Sequence, residues 1–284
     1  MAFFGFRRSK DDDKAEMSFV DHLEVLRGHL FRSVIAIAIG ALTIGIFNKF
    51  FVHYILMGPT HNDFPTYKVM CRIGKAIHLE RALCMTAVEV KMQSTSVAGQ
   101  FTTFFSVILI GGFIIAFPYV FWQFWKFVKP ALTKKELQKT SGVIFWVSLL
   151  FFTGVLFGYF VIAPYAINFF AKFQLDKNIE NRWTIGSYFD IMTPLILGSG
   201  LTFQLPLAMF FLAKIGIVSA TILRKVRKYA IVIIFIVAAF ITPGPDVISQ
   251  VIVAVPLLLL YEISIWLTNS VEKQKKKDEK AEWS

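Results

Sequence analysis

Four polar side chains lie within or beside the longest apolar stretches of this 284-residue sequence, namely Gln204, Asp246, Gln250 and Glu262. Such groups are costly inside a lipid bilayer, so where they occur they usually face a protein interior or a path for a substrate or proton. We therefore take them as candidate functional groups. Structural alternatives stay open: Gln204 as an interhelical hydrogen bond, and Glu262 as a surface carboxylate that is solvated or paired with a lysine.

A second candidate site follows residue 124, where one acid stands among basic residues. The segment from Trp125 to Lys139 holds five lysines and a single carboxylate, Glu136. A carboxylate can hold the planar guanidinium of arginine through two parallel hydrogen bonds, a geometry that lysine cannot reproduce. The segment therefore suits a peptide ligand that carries arginines, although its aromatic residues also fit the ordinary role of interfacial anchors.

Enzymatic and metal-binding spacings are absent from the sequence. It contains no Gly-x-Ser-x-Gly elbow, His-Glu-x-x-His pair or phosphate-binding loop, so we predict neither an enzyme nor a cofactor. Three of the five histidines, His53, His61 and His78, share one loop, but their spacing fits no usual metal site. Cys71 and Cys84 lie in the same loop, and the sequence leaves open whether they form a disulfide or remain free thiols.

The candidate groups must be positioned by membrane helices, because the chain is too apolar for a soluble domain. Hydrophobic residues make up 56% of it, including 31 Phe, against roughly 45–50% in soluble proteins. The net charge of +11 does not indicate nucleic-acid binding, since the basic residues separate apolar runs instead of sharing one face. We predict no cleavable signal peptide, because Met1 to Ser18 contain no adequate apolar stretch.

Six stretches are predicted to cross the membrane, since about 30 Å of hydrocarbon requires roughly 20 apolar residues in a helix. The predicted spans cover residues 30–52, 101–124, 143–170, 191–218, 229–241 and 247–267. The last two share one apolar run that is broken between Thr242 and Asp246 by two prolines and a glycine. They are therefore short, which implies a locally thinned bilayer or burial against neighbours.

The distribution of charge predicts the orientation. Of the 30 Lys and Arg residues, 21 fall on one side of the six spans, which places that side and both termini in the cytoplasm. The predicted organisation is a cytoplasmic arm with an amphipathic helix lying along the inner surface (residues 1–29), a membrane domain (30–268) with an outer cap loop (53–99), and a charged cytoplasmic tail (269–284).

Several motifs, taken together, resemble the TatC subunit of the twin-arginine protein translocase from about Met17 to Thr268. The matching residues, in order, are His22, Leu23, Leu26, Arg27, Phe117, Pro118, Trp125, Phe127, Pro130, Ala131, Leu132, Glu136, Phe203, Gln204, Pro206, Thr242, Pro243, Pro245, Asp246, Ser249, Gln250 and Glu262. Six spans, both termini inside and two short final helices are also features of that family.

The resemblance implies a core receptor in the cytoplasmic membrane that exports folded proteins with twin-arginine signal peptides, using the proton-motive force. By family position, Phe127 and Glu136 are the binding residues, and the patch around them is shaped by Leu23, Leu26 and Arg27. The implied partners are single-span TatA- and TatB-type subunits packed near the fifth and sixth spans. Further copies of this chain are expected in a homo-oligomeric receptor complex.

Two positions depart from the family pattern. A glutamate usually precedes Leu-Arg in the arm, but here Val25 takes that place and Glu24 stands one residue earlier. One residue is about 100° of helical rotation, so it stays open whether Glu24 serves as a second arginine-binding carboxylate. Gln204 stands where many relatives have glutamate, which keeps the hydrogen bonding, removes the charge and weakens any proton relay there.

The alternative class is a secondary transporter or channel, in which the intramembrane polar groups would line a path for a small solute. Many such proteins are built from inverted repeats. We find no convincing inverted repeat between the first and last three spans, and we therefore favour the translocase.

Overall fold

The computed structural model describes residues 19–282 except 62, 77, 79–83, 85–91, 130–141, 177, 179–180 and 243–246. Two predicted site residues, Glu136 and Asp246, lie outside the described residues. The described α-helices are α1 (Phe19–Ile46), α2 (Pro65–Ala76), α3 (Gly99–Val128), α4 (Val143–Phe157), α5 (Ala163–Lys172), α6 (Ile185–Thr202), α7 (Leu205–Ile215), α8 (Ala220–Lys225), α9 (Arg227–Ile241) and α10 (Val247–Glu282).

Shorter elements connect these helices. A three-residue helix, Asn48–Phe50, and a π-helical turn, Phe51–Leu56, extend the path of α1, and a second π-helical turn, Gly158–Ile162, joins α4 to α5. Strands β1 (Met92–Gln93) and β2 (Trp183–Thr184) pair in parallel. The predicted all-helical architecture with several membrane-spanning helices is confirmed.

Within the described residues, five helical stretches are long and apolar enough to cross a membrane. They are Leu23–Ile46, Gly99–Val128, Val143–Lys172, Ile185–Ile215 and Gln250–Gln274. The predicted fifth span corresponds to α9, which has 15 residues. A helix of that length reaches only about 22 Å, so the number of six crossings stays a prediction.

Three helix boundaries differ from the sequence-based expectation. The arm helix and the first span form one continuous helix, α1, because a single glycine, Gly28, does not end a helix of good helix formers. The fourth span is divided between Thr202 and Leu205, since Pro206 has no N–H to bond the carbonyl of Thr202. The last helix continues through the charged tail to Glu282, where lysines and glutamates favour the helix and neither Gly nor Pro interrupts it.

The helices alternate in direction, so their ends gather at two opposite ends of the bundle. At one end His29 of α1 contacts Gln123 of α3, and Trp125 shares an apolar cluster with Val143 at the start of α4. We call this the basic end. Its basic residues include Arg27, Lys126, Lys129, Arg224, Lys225, Arg227 and Lys228.

Glycines let two helix pairs pack backbone to backbone. A Cβ added at Gly40 would lie 2.7 Å from the carbonyl oxygen of Gly112, and one added at Gly154 would lie 2.7 Å from that of Ser199. No real side chain tolerates such contacts, so α1 approaches α3, and α4 approaches α6, more closely than other residues would allow. These contacts set the spacing of the helices that carry the candidate site.

The opposite end carries the cap, in which Cys71 and Cys84 form a disulfide. Pro59 has no N–H, so the helical hydrogen bond to the carbonyl of Ile55 is missing. The hydroxyl of Tyr159 donates to that carbonyl at 2.6 Å, and the hydroxyl of Tyr188 donates to the carbonyl of Leu56 at 2.6 Å.

A third tyrosine acts within the cap itself. Tyr67 of α2 donates to the carbonyl of Pro59 at 2.7 Å, and burial raises the pKa of Tyr67 to about 12. The hydroxyl therefore keeps its proton and remains a donor at neutral pH. Together with Tyr159 and Tyr188, this residue fixes the cap on the helix ends.

Candidate functional site

The first turns of α1 present three predicted site residues at the basic end. Leu23 and Leu26 are 47% and 39% exposed, and Arg27 is also exposed. Their spacing of three and four residues places Leu23 beside both Leu26 and Arg27 on the helix surface. Residues 23–28 are all exposed, so burial does not distinguish Glu24 from Val25 as a group that faces a ligand.

A hydrogen bond joins this arm to α3. The ring nitrogen Nδ1 of His29 lies 2.8 Å from Oε1 of Gln123, and because an amide oxygen only accepts, the imidazole donates. Gln123 is 2% exposed, so its side chain is committed to this contact. Neither residue was among the predicted site residues.

The last turns of α3 carry the aromatic part of the site. Trp125 is buried and its ring lies 5.0 Å from that of Phe211 on α7, so it packs inside the protein instead of facing the lipid headgroups as an interfacial anchor. Phe127 is half-buried on the last turn of α3. Phe127 lies one turn after Gln123 on α3, and the hydrogen bond between Gln123 and His29 places this part of α3 beside the first turns of α1. Phe127 and Leu26 therefore lie at the same end of the bundle.

Gln204 lies at the break between α6 and α7, inside the protein. Its Nε2 donates to the carbonyl of Val147 on α4 at 3.1 Å, while its buried Oε1 accepts no hydrogen bond from the described residues. This geometry corresponds to an interhelical hydrogen bond, the structural alternative that the sequence left open. An amide also cannot take up or release a proton at ordinary pH.

Glu262 and Gln250 of α10 each bond to α9, at different depths. Glu262 accepts from the guanidinium of Arg227 at 2.5 Å, and the two side chains are about half exposed, at 48% and 51%. This is the surface-carboxylate alternative, with an arginine in place of a lysine. Gln250 donates from Nε2 to the carbonyl of Phe235 at 3.0 Å, so the two helices are held at two levels.

Two further contacts concern the loop histidines and the cap. His61 bonds through Nδ1 to the carbonyl of Met57 at 2.8 Å, and its ring lies 5.7 Å from that of His53. Among the described residues, no group of three or more His, Cys, Asp or Glu is arranged to hold a metal ion. Hydrogen bonding and packing therefore account for both of these side chains.

Sequence comparison relates most of the chain to one family. The family described as "Sec-independent protein translocase protein (TatC)" matches residues 21–256. The chain is 38% identical to the TatC protein of Blattabacterium sp. subsp. Periplaneta americana, covering 93% of this chain and 99% of that protein. It is 34% identical to the TatC protein of Carboxydothermus hydrogenoformans, covering 90% and 94%.

Two solved structures share the fold. A crystal structure of the twin-arginine translocase receptor TatC superposes with a TM-score of 0.65 at 32% identity, covering 88% of this chain and 99% of that one. A second, of the same receptor in DDM, gives a TM-score of 0.67 at 32% identity, covering 87% and 99%.

Proposed function

The chain belongs to the TatC family of Sec-independent protein translocase proteins, and we propose that it is a receptor that binds twin-arginine signal peptides at its basic end. Its relatives are translocase components, so the chain serves protein transport and is not an enzyme. Two of them are described as twin-arginine translocase receptors. The proposal brings that role to this chain and assigns it to particular residues.

The observation that carries the proposal is the contact between His29 and Gln123. It joins two segments that are 94 residues apart in the sequence. The arm residues Leu23 and Leu26 thereby share one end of the bundle with Phe127, which stands nine residues before Glu136. The two parts of the binding site implied by the family are thus carried by adjacent helices.

Electrostatics explains why such a site would select arginine. The basic end repels cations in general, and Arg27 and Lys126 add to that repulsion at short range. A signal peptide with two arginines must therefore overcome this repulsion through specific contacts. Glu136 supplies a bidentate hydrogen-bond partner for one guanidinium. Glu24, which is exposed on the first turns of α1, is our candidate for the second.

An apolar surface beside these charges suits the hydrophobic part of a signal peptide. Leu23 and Leu26 are exposed, and Phe127 is half-buried. Fully burying a leucine side chain contributes about 1.5–3 kcal/mol. Contact with these three residues would therefore add affinity that does not depend on the arginines.

We further propose six crossings of the cytoplasmic membrane, with α9 as the short fifth span and both termini in the cytoplasm. The arm (1–29) and the tail (269–284) are proposed to be cytoplasmic and residues 30–268 to form the membrane domain, with the described part of the arm helix continuous with the first span instead of lying along the surface. The disulfide between Cys71 and Cys84 supports an outer location for the cap, because disulfides persist in oxidising compartments.

The partner subunits are proposed to dock on α9 and α10. A groove of about 400 Å³ on this flank is lined by Ile231, Val232, Phe235, Ile236, Ala239 and Gln250. A single-span helix of a TatA- or TatB-type subunit suits such an apolar surface, and further copies of this chain complete a homo-oligomeric receptor. Transport draws on the proton-motive force without proton transfer at Gln204, because its amide does not ionise.

The variant Glu136→Gln tests the assignment of the signal-peptide site. Hydrogen bonds to charged groups contribute about 1.5–3 kcal/mol, so we expect affinity for a twin-arginine peptide to fall at least tenfold. The measurement is fluorescence anisotropy with the full chain in lipid nanodiscs, and a twin-lysine peptide should bind weakly to both proteins. The matched control is Lys139→Gln, in the same segment, which should bind as well as the unaltered protein. Unchanged affinity of Glu136→Gln for the twin-arginine peptide would remove Glu136 from the site.

A further inference from the structure

A groove on the surface of α1 and α3 runs away from the basic end. Its volume is about 430 Å³. Its apolar floor consists of Ile35, Ala36, Ile39, Gly40, Ile115 and Ala116. Ile35, Ile39 and Ile115 are 44%, 60% and 45% exposed, so the described part of the protein does not cover this floor.

The close packing of the two helices creates the groove. Gly40 lies against the backbone of Gly112, and beside it the small side chains of Ala36 and Ala116 leave a furrow between larger neighbours. The furrow follows the helix axes from Thr43 to Arg32 over about 17 Å. It therefore has the length and chemistry of a site for an extended hydrocarbon chain.

Cationic and aromatic side chains mark the end of the groove nearest the basic end. Arg32 and Tyr119 line the groove itself. On α3, Trp122 lies 5.4 Å from Tyr119 between ring centroids, and the ammonium of Lys126 lies 3.6 Å from the centroid of the Trp122 ring. Tyrosine and tryptophan are typical of the level of lipid headgroups.

The two cations lie on one side of the helix pair at different depths. His29 faces Gln123, so Arg32 is level with Tyr119, and Lys126 is about 10 Å nearer the basic end. Among the described residues, no carboxylate forms a salt bridge with Arg32 or Lys126. Within the part of the chain that the structure describes, positive charge therefore lies above an apolar furrow without a carboxylate partner.

We propose that this groove binds an anionic phospholipid of the leaflet at the basic end. One acyl chain lies on the floor between Arg32 and Thr43, and Arg32 and Lys126 hold the phosphate and the charged headgroup, beside the Trp122 ring. The groove does not include Leu23, Leu26 or Phe127 of the proposed signal-peptide site, although Lys126 lies near both, and the proposal depends on the proposed function only for its assignment to the cytoplasmic leaflet.

Charge favours a lipid over a partner helix as the occupant. An apolar transmembrane helix laid on this groove would bury the guanidinium of Arg32 without a counter-charge, which is strongly unfavourable. A phosphate at the same position neutralises it and accepts hydrogen bonds from it. Anionic lipid is favoured over zwitterionic lipid, because each basic residue near the surface adds about a fivefold preference.

Native mass spectrometry of the full chain in detergent tests the proposal, with dioleoyl phosphatidylglycerol and dioleoyl phosphatidylcholine as probes. We expect Arg32→Gln to lose about fivefold in affinity for phosphatidylglycerol and nothing for phosphatidylcholine, and Arg32→Lys to retain most of the affinity. Ala36→Phe, which fills the furrow, should weaken both lipids. The control Arg224→Gln removes an exposed charge on α8 at the same end and should bind as the unaltered protein does.

The proposal would be overturned if Arg32→Gln bound phosphatidylglycerol as tightly as the unaltered protein does. It would also be overturned if Arg224→Gln lost as much affinity as Arg32→Gln, because the loss would then be a general effect of charge. A second measurement does not depend on variants. Phosphatidylglycerol with a photoreactive acyl chain should label residues 35–43 or 115–119. Labelling confined to α9 and α10, or cysteine crosslinks from a single-span subunit to Ile39, would refute the site.

Discussion

At the scale of single residues, the contact between His29 and Gln123 determines how the arm and α3 meet. Gln123 is 2% exposed, and its Oε1 accepts from the imidazole. A buried amide that loses its partner costs about 1–3 kcal/mol. The position of Leu26 relative to Phe127 therefore depends on a bond that touches neither residue.

We expect His29→Ala to lower the free energy of unfolding by about 1–3 kcal/mol, because it leaves the Gln123 amide buried and unpaired. Adding Gln123→Leu to this variant should recover part of the loss, since the unpaired amide is then gone. Urea unfolding in detergent micelles measures both. The same double variant should still bind a twin-arginine peptide more weakly than the unaltered protein, because the arm is no longer held. Equal losses in the single and double variants would mean that the hydrogen bond does not stabilise the fold.

This pair shows what the sequence could predict about the site and what it could not. Leu23, Leu26, Arg27 and Phe127 were identified by family position, and the structure places all four at one end of the bundle. The partner of His29 was missed because no local spacing relates residues 94 positions apart. One signal was available: Gln123 is an amide within an apolar helix, and such a group needs a partner inside the protein.

At the scale of elements, the apolar runs predicted the long helices well but not their interruptions. Length and hydropathy alone locate a span, so the first four spans lie within or close to the observed helices. The divided fourth span depends on a single residue, Pro206, and on the Gln204 contact with Val147, which holds the break in place. Such a break is set by tertiary contacts that hydropathy does not contain.

The spacing Gly154-x-x-x-Gly158 is typical of close helix packing. A Cβ at Gly158 would lie 2.6 Å from the carbonyl oxygen of Leu195, whereas one at Gly45 of α1 has no neighbour within 4 Å. We expect Gly158→Ala to destabilise the protein by about 1–3 kcal/mol through overpacking. The control Gly45→Ala should be neutral or stabilising by up to about 1 kcal/mol. Thermal unfolding in detergent distinguishes the two, and similar midpoints would contradict direct packing of the turn that begins at Gly158 on α6.

The cap is a second element whose stability depends on one covalent contact. Cys71 and Cys84 are 13 residues apart, and closing a loop of this size contributes about 3 kcal/mol in the chain-entropy estimate. We expect Cys71→Ser together with Cys84→Ser to increase hydrogen exchange of α2 amides. Reductant should likewise increase the exchange of these amides in the unaltered protein, and it should not change their exchange in the double variant. Binding of a twin-arginine peptide should not change, because that site lies at the opposite end. Unaltered exchange after reduction would show that the disulfide does not stabilise the cap.

At the scale of the whole molecule, the two ends of the bundle differ in kind. The cap end is fixed by a disulfide and by tyrosine hydroxyls, while the basic end keeps exposed leucines and a cluster of basic side chains, of which Arg227 is paired with Glu262. Composition and the long apolar runs predicted a helical membrane protein, and superposition on the receptor crystal structures, with TM-scores of 0.65 and 0.67, bears out that fold. The order in which helices adjoin one another depends on close glycine contacts, which composition does not reveal.

Site-specific photocrosslinking tests most directly whether the basic end binds the signal peptide. A photoreactive amino acid replaces Phe127 at the basic end in one protein and the exposed Ser94 of the cap in another. Each protein is illuminated in membranes with a twin-arginine peptide and, separately, with a twin-lysine peptide. We expect the twin-arginine peptide to crosslink at position 127 and the twin-lysine peptide not to. Neither peptide should crosslink at position 94. Crosslinks at position 94 without crosslinks at position 127 would contradict a receptor site at the basic end.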